Sequence, residues 1–142
     1  MHRFDPFVLL LGRTCLVIIF LLSGIYKSLF HWTGSLELMA SKGMSMVSVF
    51  LIAAVLIEII CSIMIILGFK TRWAAAILFL YLIPVTYFLH DFWNSDPTTK
   101  PIQIIMFLKN VAICGGFLYV WVFGAGKFSI DFWLRNDKKG RL

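Results

Sequence analysis

The chain has 142 residues, of which 61% are hydrophobic and only 14% charged, and it carries a formal charge of +6. Soluble domains of this length carry roughly a quarter charged residues, so the composition excludes a water-soluble domain and leaves a chain whose solvent is lipid. No nucleic-acid-binding module accompanies the positive charge, which excludes nucleic acid as a partner.

Four apolar segments, residues 7–30, 47–67, 73–89 and 102–123, are each near the length of about 20 residues that carries a helix across hydrocarbon. They predict an all-α fold: one membrane domain over residues 1–142, a bundle of four transmembrane helices, with residues 124–142 as a basic tail. The first segment does not read as a cleavable signal, because its apolar run is too long, Arg13 interrupts it and no small-residue cleavage site follows. It stays as an anchor. The next loop, HWTGSLELMASKGMSM, is long enough for a short interfacial helix capped by Ser35 and ended by Gly43. Leu36, Met39 and Ala40 of that helix face the membrane or the bundle, and His31 and Trp32 are interfacial anchors.

The loop GFKTR joins the second and third segments so closely that they form an antiparallel hairpin. The third segment contains Pro84, whose missing N–H frees the carbonyl of Leu80 and favours a kink. A polar loop, HDFWNSDPTTKP, then leads to Pro101 at the start of the fourth segment, a favoured place for proline.

Lysine and arginine near the helix ends set the orientation. With the N-terminus in the cytoplasm, that side receives Arg3, Lys70, Arg72, Lys127, Arg135, Lys138, Lys139 and Arg141, and the other side only Lys27, Lys42 and Lys100. Both termini are therefore expected in the cytoplasm of a bacterial inner (plasma) membrane. The closing basic stretch, RNDKKGRL, reads as a contact with anionic lipid of the bilayer. Cys15, Cys61 and Cys114 lie on three different helices without paired spacing, so they are expected to be small residues at helix contacts, with no metal site and no dithiol chemistry.

The informative residues are the polar ones inside the apolar segments. An ionisable side chain there costs about 2.5–3.5 kcal/mol by insertion scales unless it is paired or wetted. Glu58 falls near the midplane, Lys109 about 10 Å from the outer surface and Arg13 roughly 9 Å from the cytoplasmic one, on a rise of about 1.5 Å per residue. Arg13, Phe20, Gly24, Lys27 and His31 share one face of the first helix, and Ala54, Glu58, Cys61 and Ser62 one face of the second. Gln103, Asn110 and Cys114 line a stripe of the fourth helix, and Thr86, Tyr87 and His90 make the outer end of the third polar. These residues predict a cavity that opens outward with Glu58 at its floor, paired first with Lys109 and second with Arg13. The candidate ligand or proton site is Glu58, Lys109, His90, Arg13, Asn110 and Tyr87. Set against it is a buried ionic glue of Arg13, Glu58 and Lys109 that binds nothing.

Arg13 followed by FLLSGIYK, then Glu58, LGFKTR, His90 with DFW, Lys109-Asn110 with Gly115-Gly116, and GAGKFSID stand in an order and spacing that resembles the DoxX family of small four-helix membrane proteins. The resemblance runs from Arg13 to Asp131, and Ala125 stands where the family often has proline. It implies a four-helix membrane fold and an association with redox systems, since family members include a subunit of a thiosulfate–quinone oxidoreductase and others linked to thiol and oxidative-stress complexes.

The sequence carries no dinucleotide fingerprint, haem-attachment motif or paired thiols, so no cofactor is covalently bound and any electron carrier is borrowed or lipid-soluble. The expected function is a redox-associated membrane subunit that binds a quinone or similar lipid-phase ligand, or anchors an oxidoreductase or other membrane-complex partner. In it Glu58 and Lys109 position or protonate the ligand, and His90 connects it to the aqueous phase. The rival readings are a scaffolding or assembly subunit without its own chemistry and a proton or small-acid carrier.

Overall fold

A computed structural model describes residues 6–139. Arg3 and Arg141 of the orientation argument lie outside the described residues, as do the side chains of Lys138 and Lys139. The elements are α1 (Pro6–Leu29), α2 (Trp32–Ser41), α3 (Val47–Leu67), α4 (Thr71–Leu89), a 3-10 turn (Phe92–Asn94), α5 (Lys100–Phe123) and α6 (Ile130–Lys139), with no strand among the described residues. Four of the helices are long and apolar enough to cross a membrane, as expected. α4 continues through Pro84 as one helix.

The bundle packs in chain order, α1 on α3, α3 on α4 and α4 on α5, whereas α1 and α5 meet only briefly. Its core is Val17, Phe20, Cys61, Ile65, Ala74, Ala75, Leu78, Leu82 and Phe117. In lipid the association of helices comes from close packing rather than from escape from water, so small residues matter. Ala74 and Ala75 are such small residues, fully buried on α4, and the rings of Phe20 and Phe117, 5.4 Å apart, close the short α1–α5 seam. Cys61 belongs to this core and Cys114 packs against it. Cys15 is exposed, which corrects its assignment to a helix contact: it lies on the α1 face turned away from the core.

The short helix of the first loop is present as α2, and Met39 packs with Leu51 and Val55 to hold it against α3. Its start differs from expectation. Ser35 lies within the helix and its hydroxyl donates to the His31 carbonyl at 2.7 Å, so it caps nothing. An i to i−4 bond of that kind is the alternative that serine hydroxyls have inside helices.

The segment after α5 is more than a tail. It turns back under the bundle and forms α6, whose Asp131 N–H donates to the Gly68 carbonyl at 2.8 Å. Gly68 closes α3 at φ 72, a left-handed conformation that a side chain resists. A Cβ there would stand 2.3 Å from the Ser129 Cβ. The start of α1, the α3–α4 turn, the end of α5 and α6 thus share one end of the bundle, the hairpin end. The opposite end carries α2 and the 3-10 turn.

Candidate functional site

Glu58 is on the inner face of α3 and is 3% exposed. The Lys27 ammonium from α1 donates to its Oε1 at 2.7 Å, and the Tyr81 hydroxyl from α4 donates to the same oxygen, also at 2.7 Å. Gly24, one turn before Lys27, lets α3 come this close: a Cβ at Gly24 would meet Ile59 Cγ1 at 2.8 Å and Glu58 Cβ at 3.2 Å. The second carboxylate oxygen, Oε2, is buried with no hydrogen-bond partner among the described residues.

The carboxylate therefore faces the interior and has a basic partner from another helix, but that partner is neither of the two expected. Depth counted from the end of each helix misplaced them, because the end of α1 and the start of α3 do not lie at one level: Gly24, five residues from the end of α1, stands against Glu58, eleven residues from the start of α3. The contact between Gly24 and Glu58 sets their true register and brings Lys27 within reach. Nor does Glu58 lie at the floor of an open cavity, since Lys27 and Tyr81 cover it. A groove of about 210 Å³ lies elsewhere, between α4 and α5, with apolar walls that include Ala76, Phe79, Leu118 and Trp121.

Arg13 is buried at the hairpin end. Its guanidinium donates to the carbonyls of Ala125 and Phe128 and, at 3.0 Å, to that of Ile66. These are backbone groups left over where α3 ends and where the chain turns toward α6. Asp131 completes the junction by accepting the N–H groups of Lys70 (2.7 Å) and Thr71 (3.0 Å) at the start of α4. A carboxylate there satisfies orphan donors and sits at the positive end of the helix dipole. LGFKTR, GAGKFSID and Arg13, distant in sequence, are thus one structural unit. Arg13 is no partner of Glu58 because the returning segment supplies its acceptors.

Lys109 is exposed on α5, and its ammonium lies 3.3 Å from Met106 Sδ. Consecutive residues on a helix diverge by about 100°, and α5 is turned so that Asn110 points inward while Lys109 stands on the flank. Asn110 Nδ2 donates to Thr86 Oγ1 at 3.0 Å, and the Thr86 hydroxyl donates to the Leu82 carbonyl at 2.6 Å. His90 Nδ1 and Gln103 Oε1 are 3.1 Å apart across the α4–α5 junction. Tyr87 is 59% exposed and its ring sits against Phe88 and Trp93, so it belongs to the aromatic surface and not to the polar interior. Lys42 pairs with Asp91 and ties the α2 loop to the end of α4.

Sequence reasoning therefore missed two members of the centre. Lys27 had a signal, its place on the α1 face shared with Phe20 and Gly24. Tyr81 had a fainter one: it lies three residues from Leu78 and seven from Ala74, on the buried stripe of α4. Chemically, the centre is a carboxylate with one oxygen saturated by an ammonium and a phenol and the other free to accept from a donor, in surroundings that exclude water.

Among known proteins, the DoxX family model matches residues 8–91, which include Arg13, Lys27, Glu58 and Tyr81. The chain is 34% identical over 126 residues to inner membrane protein YphA of Escherichia coli (strain K12), covering 89% of each chain. It is 25% identical over 131 residues to inner membrane protein YqjF of the same organism, covering 92% of this chain and 95% of that one. A shorter match, 37% identical over 71 residues, is to a Surfeit locus protein 4 homolog of Schizosaccharomyces pombe, and it spans 48% of this chain but only 23% of that protein. No solved structure matches the chain. With its four spanning helices and this likeness over nearly its full length, the chain is an integral membrane protein that belongs to the DoxX family.

Proposed function

We propose that the chain is a ligand-binding subunit of a redox system in a bacterial inner membrane. It takes the polar head of a small lipid-phase molecule, a quinone or a similar ligand, at the Lys27–Glu58–Tyr81 centre and works beside an oxidoreductase partner. The observation that carries this reading is the free Oε2 of Glu58. Arg13 Nε and Thr71 Oγ1 at the hairpin end are also buried without a partner, but neither can take up a proton, whereas a carboxylate oxygen without a donor is costly and suits a ligand hydroxyl or a proton in transit. The inner-membrane relatives support the location, and the excess of lysine and arginine at the hairpin end supports its placement in the cytoplasm.

A scaffolding or assembly role is the second reading, and Arg13 favours it: its bonds to backbone carbonyls, like those of Asp131 to backbone N–H groups, serve to hold chain ends together. Native mass spectrometry in mild detergent with added decylubiquinone separates the two. A bound quinone on the wild type that is lost in Glu58→Gln, with helical content and melting retained, supports the ligand site. No adduct on the wild type, or an equal adduct on both, supports the scaffold.

A further inference from the structure

We propose that the groove between α4 and α5 is a binding site for an anionic phospholipid, with one acyl chain along the groove and the phosphate on the Arg72 guanidinium. The site is separate from the Glu58 centre. Phe79, which lines the groove, and Tyr81, which bonds Glu58, are two residues apart, about 200° of rotation, so they leave α4 on opposite flanks.

The groove exists because Ala75 and Ala76 carry no side chain long enough to fill the space beside Phe117 on α5. Its volume is about 210 Å³, and Leu80, Leu118 and Trp121 on its rim are exposed, so it is open to the bilayer. No charged side chain lines it, which suits a hydrocarbon chain. Its hairpin end is different. Arg72 stands one turn before Ala75 and Ala76, and its guanidinium donates to the Val122 carbonyl, next to Trp121, at 3.0 Å. That bond fixes the level of the two antiparallel helices: Arg72 is at the hairpin end of the groove, and Leu80 is about 12 Å deeper.

Charge and position name the occupant. Arg72 is exposed and forms no ion pair among the described residues. Of its five N–H donors, one is given to Val122. Exposed Lys70 and Lys127 add positive charge at the same end, and the Asp131 carboxylate there is held by the N–H groups of Lys70 and Thr71. Trp73 and Trp121, both exposed at the level of Arg72, are of the residue type that marks headgroup depth in a bilayer. A guanidinium at that depth takes a phosphate through paired N–H···O bonds, and basic clefts between spanning helices take anionic lipid heads. A neutral quinone tail would fit the walls and leave the guanidinium unanswered.

The test uses purified full-length chain in mild detergent with equal amounts of phosphatidylglycerol and phosphatidylcholine of the same acyl chains, read by native mass spectrometry. The wild type is expected to retain phosphatidylglycerol at least about tenfold over phosphatidylcholine, and Arg72→Gln to bring the two within about threefold. Ala76→Phe, which fills the groove, is expected to reduce retention of both lipids, and Glu58→Gln to leave the preference unchanged. Arg72→Gln and Ala76→Phe act on opposite ends of the lipid, so either one tests the site if melting of the helical signal shows the other to be unfolded. Equal retention of the two lipids by the wild type overturns the proposal. So does an equal loss of preference in Arg135→Gln, which removes the same charge from α6 and would show diffuse attraction to a basic surface. A wild-type dimer that holds no phospholipid gives the groove to a second copy and overturns it as well. Loss of the preference in Glu58→Gln overturns the separation of groove and centre.

Discussion

Lys27 and Glu58 form an ion pair of 2.7 Å between two membrane-spanning helices, and the two partners are not equivalent. The Lys27 side chain is 25% exposed and near the α2 end of α1, whereas that of Glu58 is only 4% exposed and deep in the bundle. An ammonium on a long stem can relocate toward the interface if its partner is lost. The carboxylate cannot.

The first prediction follows from that asymmetry. Lys27→Met strands a buried charge and is expected to cost about 3–5 kcal/mol of stability. Glu58→Gln is expected to cost clearly less, and Lys27→Met combined with Glu58→Gln to recover most of the loss, because no unpaired charge is left. Melting of the helical signal in detergent or nanodiscs measures all three. A Glu58→Gln variant less stable than Lys27→Met would show that the pair does not have this polarity.

The junction at the hairpin end gives the second prediction. Asp131→Ala removes the acceptor for the Lys70 and Thr71 N–H groups and is expected to cost about 0.5–2 kcal/mol, the usual worth of a helix cap. Arg13→Lys keeps the charge but not the planar fork that reaches Ala125, Phe128 and Ile66 together, so it is not conservative here. Both variants are expected to speed amide hydrogen exchange in residues 124–137 while exchange around Glu58 stays slow. Unchanged exchange in that segment would mean that α6 is held by something other than these two residues.

Orientation gives the third prediction. A reporter that is active only in the periplasm, fused after Leu142, is expected to be silent, and a cytoplasmic reporter at the same place active, because the basic residues collect at the hairpin end. The opposite pattern would reverse the topology and put α2 in the cytoplasm.

The four spans were legible because an apolar run of sufficient length has one structural outcome in lipid, a helix whose backbone is satisfied internally. That Glu58 faces the interior was legible for the same reason: facing lipid would leave its charge uncompensated. Its partner was not, because sequence gives distance along each helix and not the offset between helices, which the close contact at Gly24 sets. α6 was hidden because its polar residues, such as Asp131, Arg135 and Asp137, match a solvated tail in composition. What orders it is the pairing of Asp131 with Lys70 and Thr71, 61 and 60 positions away. Tyr87 was misread because its place one turn below His90 said nothing about the direction in which its ring points.

The central claim is that the Glu58 centre receives a lipid-phase ligand, and photocrosslinking in membranes tests it most directly. The reagent is a quinone analogue with a diazirine next to its head, and labelled peptides are mapped with and without excess unlabelled analogue. Competable label is expected on Glu58, Tyr81 or the Gly24 to Lys27 turn, and it is expected to vanish in Glu58→Gln. Label confined to lipid-facing positions such as Leu56 and Ile105, or label that excess analogue does not displace, would contradict the claim and leave the centre as a structural clamp.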